Sequence, residues 1–385
     1  MKVSNRGAIP PFLVIEAFKA AKALERAGHP VVHLSLGQPG REIPKAALEA
    51  LATSIQTASL GYTEPAGILP LRQRIVQHYK EMYGIDVPIE RIFITMGSSA
   101  AFLMSILAAF DPGDQVAITL PAYPAYPNML KALQVEPVYL RGCMANNFQP
   151  TVAELKALPK VPTGLVVASP SNPAGTIMKR EELKQLCAYT EENNIRLISD
   201  EIYHGVTYTE SKGDSILEFT QKGIVVNSFS KYFLMPGWRL GWAVLPEDLV
   251  PNFEALASSF FISPAAIAQY AALEVFKHLP ELNAEVERYK INRDILLDAL
   301  PRCGFHEIAP AEGAFYVYAN VSKLTNDSVD FCERLRNEIH IAPVSGLDFD
   351  PIDGKSYIRF SFAGKESDIR SAMERLESWV NKKAA

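Results

Sequence analysis

Between residues 91 and 245 short apolar runs alternate with helical patterns, and that alternation constrains the fold more than any other feature of the chain. Candidate strands are Arg91–Thr95, Gln115–Thr119, Pro137–Leu140, Gly164–Ser169, Ile195–Ser199, Gly223–Asn227 and Leu240–Leu245. Several are continuous and rich in Val and Ile, which suits strands covered on both faces. Among the helical patterns, Ala100–Phe110 is apolar almost all round. Arg180–Asn193 is amphipathic, with Glu181 and Glu182 where the helix dipole favours acids. Such alternation implies an α/β architecture: a mostly parallel sheet, here of seven strands, flanked by helices.

The texture changes after Pro280. A charged helical pattern, roughly Glu281 to Leu300, precedes candidate strands Phe315–Ala319 and Ser356–Ala363 and candidate helices Asp327–Asn337 and Glu366–Asn381. These read as a smaller α+β domain. A helical segment from about Pro11 to Gly28 is expected to pack with it. The expected division is an N-terminal segment 1–40, a large domain 41–285 and a small domain 286–385.

A chain of 385 residues can hold two such domains. With 21% charged residues and a net charge of −5, nothing in its composition suggests a nucleic-acid surface or a membrane-binding patch. No apolar run reaches transmembrane length. The start, M-K-V-S-N-R-G-A-I-P-P, lacks the pattern of a secretory signal. Cys143, Cys187, Cys303 and Cys332 are scattered and form no C-x-x-C pair, so neither a zinc site nor a disulfide framework is expected, and a cytoplasmic setting fits best.

In open α/β sheets ligands gather beyond the carboxyl ends of the strands. After the first candidate strand comes M-G-S-S-A-A, either a capped glycine turn or an anion site at a helix start. After the second comes L-P-A-Y-P-A-Y-P, where Tyr123 either packs in its loop or stacks on a flat ring. P-S-N-P-A-G follows the strand ending at Ser169; Asn172 either closes a turn or points its amide into a site. D-E-I-Y-H places Asp200 and Tyr203 three apart, as a helix cap or as a site pair, while His204 reads as structural. N-S-F-S-K-Y-F-L-M-P-G-W-R-L-G-W, from Asn227 to Trp242, carries Ser228, Lys231 and Arg239 among aromatics. A surface loop poorly explains a lysine flanked by Phe229, Tyr232, Phe233 and Trp238.

Together these residues form one chemical set. An amine holds an aldehyde as a Schiff base, and a carboxylate keeps a pyridine nitrogen protonated. Amide and hydroxyl donors face a phenolate oxygen; serines and an arginine take a phosphate. Pyridoxal phosphate needs that list.

The chain resembles the class I/II aminotransferases, the fold-type I family of pyridoxal-phosphate enzymes, over nearly its whole length. The resemblance rests on S-F-S-K-x-F-x-M-x-G-W-R-L-G-W, S-P-S-N-P-A-G and S-D-E-I-Y, with G-Q-P at Gly37–Pro39, G-Y-T at Gly61–Thr63 and Y-I-R-F-S-F-A at Tyr357–Ala363. It implies transfer of an amino group from an L-amino acid to a 2-oxo acid through a Lys231 aldimine. By the same resemblance Asp200 pairs with the pyridine nitrogen, Asn172 and Tyr203 face the phenolate oxygen, and Tyr123 stacks on the ring. Gly97, Ser98, Ser99, Ser228 and Arg239 hold the phosphate. Tyr62 reaches the phosphate of the neighbouring subunit, implying a homodimer with shared sites. Arg359 grips the substrate carboxylate, with a backbone donor from Gly37. An aromatic, partly dry pocket near Arg239 is expected to lower the pKa of Lys231.

Two departures concern the substrate. Some aspartate aminotransferases of the family carry a lysine where Ser99 stands, which argues against a dedicated aspartate role. P-V-S-G-L-D-F-D replaces the family's P-G-x-x-F-G; Asp348 and Asp350 are read as solvated loop charges, the alternative being a bias against acidic substrates. A lyase on the same scaffold, a C–S β-lyase or an aminocyclopropane-carboxylate-synthase-like enzyme, is the alternative activity. A non-catalytic effector-sensing module fused to a DNA-binding domain is disfavoured, because the resemblance consumes the chain.

Overall fold

The computed structural model describes residues 1–384. Its strands are, in chain order, β1 (Val32–His33), β2 (Ile92–Thr95), β3 (Gln115–Leu120), β4 (Glu136–Arg141), β5 (Gly164–Ala168), β6 (Arg196–Asp200), β7 (Ile224–Ser228), β8 (Gly241–Val244), β9 (Tyr316–Asn320), β10 (Ile341–Ala342), β11 (Val344–Ser345) and β12 (Tyr357–Ser361). β2 to β8 form one seven-stranded sheet in the order β2-β8-β7-β6-β5-β3-β4. Only β8 runs against its neighbours. All seven expected strands are present, with ends shifted by a few residues at most.

The sheet is covered on both faces, which explains its unbroken apolar runs. Ile94, Leu165, Leu197, Val225 and Trp242 enter one core, while Phe93, Val166, Ile198, Val226 and Ala243 enter the other. Successive residues of a strand point to opposite faces, so each strand feeds both cores. The apolar helix Gly97–Ala109 is buried along most of its length and begins directly after β2, earlier than the pattern suggested. Parallel strands connected by helices bring the carboxyl ends of β3, β5, β6 and β7 to one edge. Tyr123, Asn172, Asp200 and Lys231 all follow from that edge.

A second, three-stranded antiparallel sheet, β11-β12-β9, is backed by helices Leu279–Arg302, Ser328–Ile339 and Glu366–Ala384. Its core includes Leu296, Phe305, Phe331, Phe360 and Trp379. β1 pairs in parallel with β10, linking the two ends of the chain. The helix Leu13–Arg26 packs Leu13 and Val14 toward Tyr318, Val344 and Phe349. The sequence pattern left β1, β10 and β11 unmarked, because strands of two residues carry no periodicity.

Candidate active site

A cavity of ≈ 280 Å³ lies where the carboxyl edge of the large sheet meets the start of the Leu13–Arg26 helix and β12. Ten of the residues chosen from the sequence line it: Gly37, Ser98, Ser99, Tyr123, Asn172, Asp200, Tyr203, Lys231, Arg239 and Arg359.

Lys231 stands three residues beyond β7, on a loop held by aromatic packing. Phe229 is fully buried and packs against Phe233, Trp242 and Phe276. Phe229 N–H donates to the Leu240 carbonyl, and Met235 N–H donates back to Phe229. This scaffold directs the lysine into the cavity, where Nζ donates to the Gly37 carbonyl at 2.6 Å. Burial lowers its pKa to about 8, and the positive charges of Arg359 and Arg239 push the same way against the attraction of Asp200.

Asp200 closes β6 and is 5% exposed. Its Oδ1 accepts from Ile202 N–H at 3.1 Å, and its Oδ2 accepts from the Tyr126 hydroxyl. Burial raises its pKa to about 6, with Tyr126, Ile202 and Lys231 pulling it down. Arg359, on β12, is also buried. Its Nη1 donates to Asn172 Oδ1 at 2.8 Å and its Nη2 to the Ser35 carbonyl. Its Nε, also buried, has no partner among the described residues. The guanidinium sits 4.2 Å from the Tyr316 ring centroid and 4.5 Å from that of Phe349. A guanidinium needs an acceptor, so Arg359 fixes the Asn172 amide with its oxygen inward and frees its NH₂ to donate. Tyr203 OH lies 2.7 Å from Tyr316 OH. Burial raises the pKa of both phenols, so both stay neutral.

At the other end, Gly97 opens the Gly97–Ala109 helix with φ +74°, and a Cβ there would lie 2.7 Å from Arg239 Nη2. Only glycine suits that position. The guanidinium, two serines and the helix N-terminus together form an anion cradle. Arg239 itself has φ +54° and donates to the Pro236 carbonyl at 3.0 Å.

Three choices fall elsewhere. Gly97 sits behind the cavity wall as the backbone platform for Arg239. Ser228 is buried one layer back: its Oγ lies 2.8 Å from Ser230 Oγ and accepts from Ser230 N–H at 3.1 Å. Ser230, not Ser228, joins Ser98 and Ser99 on the wall. Tyr62 is 84% exposed and does not line this cavity. His204 is a structural histidine, buried between Ser169 O at 2.9 Å and Tyr83 OH at 2.6 Å.

The sequence reading missed Tyr126, Tyr316, Phe12, Val14, Ile15, Leu36 and Met129, all on the cavity wall. Tyr126 shares its proline-rich stretch with Tyr123, and only its contact with Asp200 separates them. The N-terminal four carry no local signal at all. Asp348 and Asp350 require a correction, because neither is a solvated loop charge. Asp348 accepts from Leu13 N–H at 2.6 Å and Val14 N–H at 3.2 Å. Asp350 is 5% exposed and accepts from Ile352 and Asp353 N–H. Carboxylates in turns are withdrawn from water when backbone N–H groups need acceptors.

A larger groove of ≈ 630 Å³ lies at the opposite, amino-terminal ends of β6 and β7. Its buried arginine, Arg91, is already spent on the Leu245 and Gln221 carbonyls, and Arg196 on the Lys222 carbonyl and Asp248.

The family described as aminotransferase class I and II matches residues 29–376. The chain belongs to this family. This aminotransferase is 41% identical to the valine–pyruvate aminotransferase of Mycobacterium tuberculosis, over 98% of each chain. It is 33% identical to the (5-formylfuran-3-yl)methyl phosphate transaminase of Methanocaldococcus jannaschii, over 96% of this chain and 97% of the relative. Its fold matches the crystal structure of an aminotransferase from Mycobacterium tuberculosis with a TM-score of 0.97 at 40% identity, covering 99% of this chain and 100% of the other.

The aminotransferase is therefore a pyridoxal-phosphate-dependent transferase, with amino acids and 2-oxo acids as substrates. Its residues fit the cofactor. Asp200 is a buried carboxylate with no ion pair among the described residues, suited to a protonated ring nitrogen. The cradle around Gly97 and Arg239 suits a phosphate. Lys231 is an amine whose pKa is lowered from its ordinary 10.5 to about 8.

Proposed function

We propose that this aminotransferase takes its amino group from a neutral aliphatic L-amino acid, with pyruvate or a 2-oxo acid of similar size as acceptor. One observation carries the proposal. Among the described residues around the cavity the cations are Lys231, Arg239 and Arg359, and each has a task. None remains for an acidic side chain. Phe12, Val14, Ile15, Leu36 and Met129 supply apolar surface instead. Burying the methyl groups of a branched side chain there is favourable by about 0.8 kcal/mol each. The relative named for valine and pyruvate supports the same choice.

In this reading Arg239, Ser98, Ser99, Ser230 and the helix start hold the phosphate, with Gly97 as their backbone platform and Ser228 supporting Ser230. Tyr123 lies against the ring. Asn172, through its NH₂, and Tyr203 donate toward the phenolate oxygen. Asp200 holds the proton of the ring nitrogen. When bound, pyridoxal phosphate supplies an aldehyde for amine capture and a cationic ring that draws electrons from the substrate Cα. Lys231 Nζ takes the proton from that carbon and returns it during the exchange, a task for a base whose pKa is near the working pH. Arg359 grips the α-carboxylate, beside the Gly37 backbone.

The same proposal extends to assembly. Leu60, Tyr62, Phe260 and Ile262 are exposed, and Thr63 N–H donates to Ser263 Oγ at 3.2 Å, joining their loops into one apolar patch. Ile262 has φ +63°, a strained setting for a β-branched residue. A patch of this kind suits a subunit interface. We assign it to a second copy of the chain, with Tyr62 reaching the partner's site; a monomer by sedimentation would remove that role. The division into residues 1–40, 41–285 and 286–385 and a cytoplasmic setting belong to the same reading. No single described helix is long and apolar enough to cross a membrane, and the four cysteines are free.

Absorption spectroscopy with a panel of single L-amino acids tests the substrate. The yellow band of the loaded enzyme should bleach with L-valine at far lower concentrations than with L-aspartate. Preference for L-aspartate would overturn the proposal. A persistent band with accumulating pyruvate and ammonia would instead indicate the lyase.

A further inference from the structure

The helix Leu13–Arg26 lacks a side-chain cap from its own Phe12. Its first N–H groups are satisfied from the far end of the chain. Asp348 Oδ1 accepts from Leu13 N–H at 2.6 Å, and Oδ2 accepts from Val14 N–H at 3.2 Å. A carboxylate at a helix N-terminus satisfies orphan donors and complements the dipole. The residues it fixes, Phe12, Val14 and Ile15, face the cavity.

Asp348 itself is anchored to the rest of the site. It ends the short turn Gly346–Asp348, which Ser345 caps by accepting from Leu347 N–H at 3.2 Å. That turn continues β11, whose Val344 pairs with Arg359. The next residue, Phe349, lies under the Arg359 guanidinium and accepts from Ala122 N–H at 2.9 Å, beside Tyr123. One short segment thus registers the apolar wall against both the carboxylate-gripping arginine and the aromatic loop.

We propose that Asp348 is a specificity-determining positioning residue: by capping the Leu13–Arg26 helix it holds Phe12, Val14 and Ile15 at the distance from Arg359 that a branched aliphatic side chain fills. The inference rests on the substrate reading above. The carboxylate never touches substrate. It fixes the geometry between two points that do, the carboxylate anchor and the apolar wall. A substrate without a branched side chain uses the first and hardly the second, so the two substrates separate the role of Asp348 from general stability.

The test uses the cofactor-loaded enzyme and two variants, Asp348→Ala and the isosteric Asp348→Asn. Asp350→Asn serves as control, since Asp350 caps only its own loop. KM is measured for L-valine and L-alanine, and amide hydrogen exchange is followed at Leu13 and Val14. Loss of the cap in Asp348→Ala should raise the KM for L-valine about tenfold and that for L-alanine about twofold at most. Exchange at Leu13 and Val14 should rise about tenfold, and the control should show neither change. Asp348→Asn keeps one acceptor oxygen for the helix start and should shift the ratio by less. A valine-to-alanine KM ratio equal to the wild-type ratio in folded Asp348→Ala overturns the inference. Unchanged protection at both amides does so as well. If the wild-type enzyme shows no preference for L-valine, the substrate reading fails instead, and amide protection alone then decides whether Asp348 holds the helix start.

Discussion

The cavity has two halves built in different ways. The half that fits the cofactor comes from loops at one sheet edge, each placed by the strand before it: Asn172 after β5, Asp200 at the end of β6, Lys231 after β7. The half that fits the substrate comes from opposite ends of the chain. Phe12, Val14 and Ile15 are seated by Asp348, and Arg359 reaches in from β12 to bond Asn172. The first half hangs on the hydrogen-bonded parallel strands that precede its residues. The second depends on a few long-range contacts, any one of which can be altered without disturbing the sheet. In the proposed reading, reaction type belongs to the first half and substrate choice to the second.

The largest expected effect lies in the first half. Lys231→Met keeps the bulk of the side chain and removes the amine. Turnover should fall by more than about 10⁴-fold, because both proton transfer and covalent capture are lost. The cofactor-free variant should nevertheless be more stable than wild type at pH 7. Lys231 has a folded pKa of about 8 against an ordinary 10.5, so the unfolded chain binds the extra proton between those values. Holding the ammonium in the fold costs about 3 kcal/mol below pH 8. That cost fades as pH rises from 8 to 10.5, so the advantage of the variant should fade with it. Thermal melts across this range check the sign. A variant less stable than wild type at pH 7 would mean that the amine is not strained by burial.

Arg359 joins the two halves, and its loss should be felt most in substrate binding. Arg359→Lys keeps the charge but not the fork that bonds Asn172 and Ser35 at once. kcat/KM should fall about 100-fold, equally for amino donor and 2-oxo acceptor, since both carry the carboxylate. Affinity for pyridoxal phosphate should change little. A loss confined to one substrate would break the comparison, because it would give Arg359 a side-chain role.

The same contrast explains what could be read from the sequence. Lys231, Asp200, Asn172 and Arg239 were legible because each sits at a fixed offset from an apolar run. A strand buried on both faces announces itself, and the chemistry follows where it ends. Ser228 and Ser230 show the limit of this reading. Ser228 ends β7 and Ser230 lies two residues on, and only the local hydrogen bonds decide which faces the cavity. Asp348 marks a harder limit. In the sequence it is an acid in a glycine-containing loop, which normally means solvent. Its partner is 335 residues away, and nothing local encodes a cap supplied from that distance. The two-residue strands β1 and β10, which bring those ends together, are equally silent.

The smallest effect should come from Tyr126, which also tests how far the first half is tuned as well as placed. Its hydroxyl donates to Asp200 Oδ2, and burial holds its own pKa well above the ordinary value, so it stays a donor. Tyr126→Phe removes one bond to the ionised carboxylate and should raise the Asp200 pKa beyond about 6. The sign follows from linkage. A carboxyl raised above its ordinary 3.8 favours the folded state below that pH, and the benefit is lost as pH rises through the folded value. Removing Tyr126 makes the ionised form costlier still, so the cofactor-free variant should be less stable than wild type above pH 6. The acid limb of pyridoxal-phosphate affinity, measured by titrating cofactor-free protein, should move up by about one pH unit. Turnover at pH 8 should fall only about threefold, since Asp200 is ionised there in both proteins. An acid limb that stays in place would reduce Tyr126 to packing and leave Asp200 set by the backbone of its own turn.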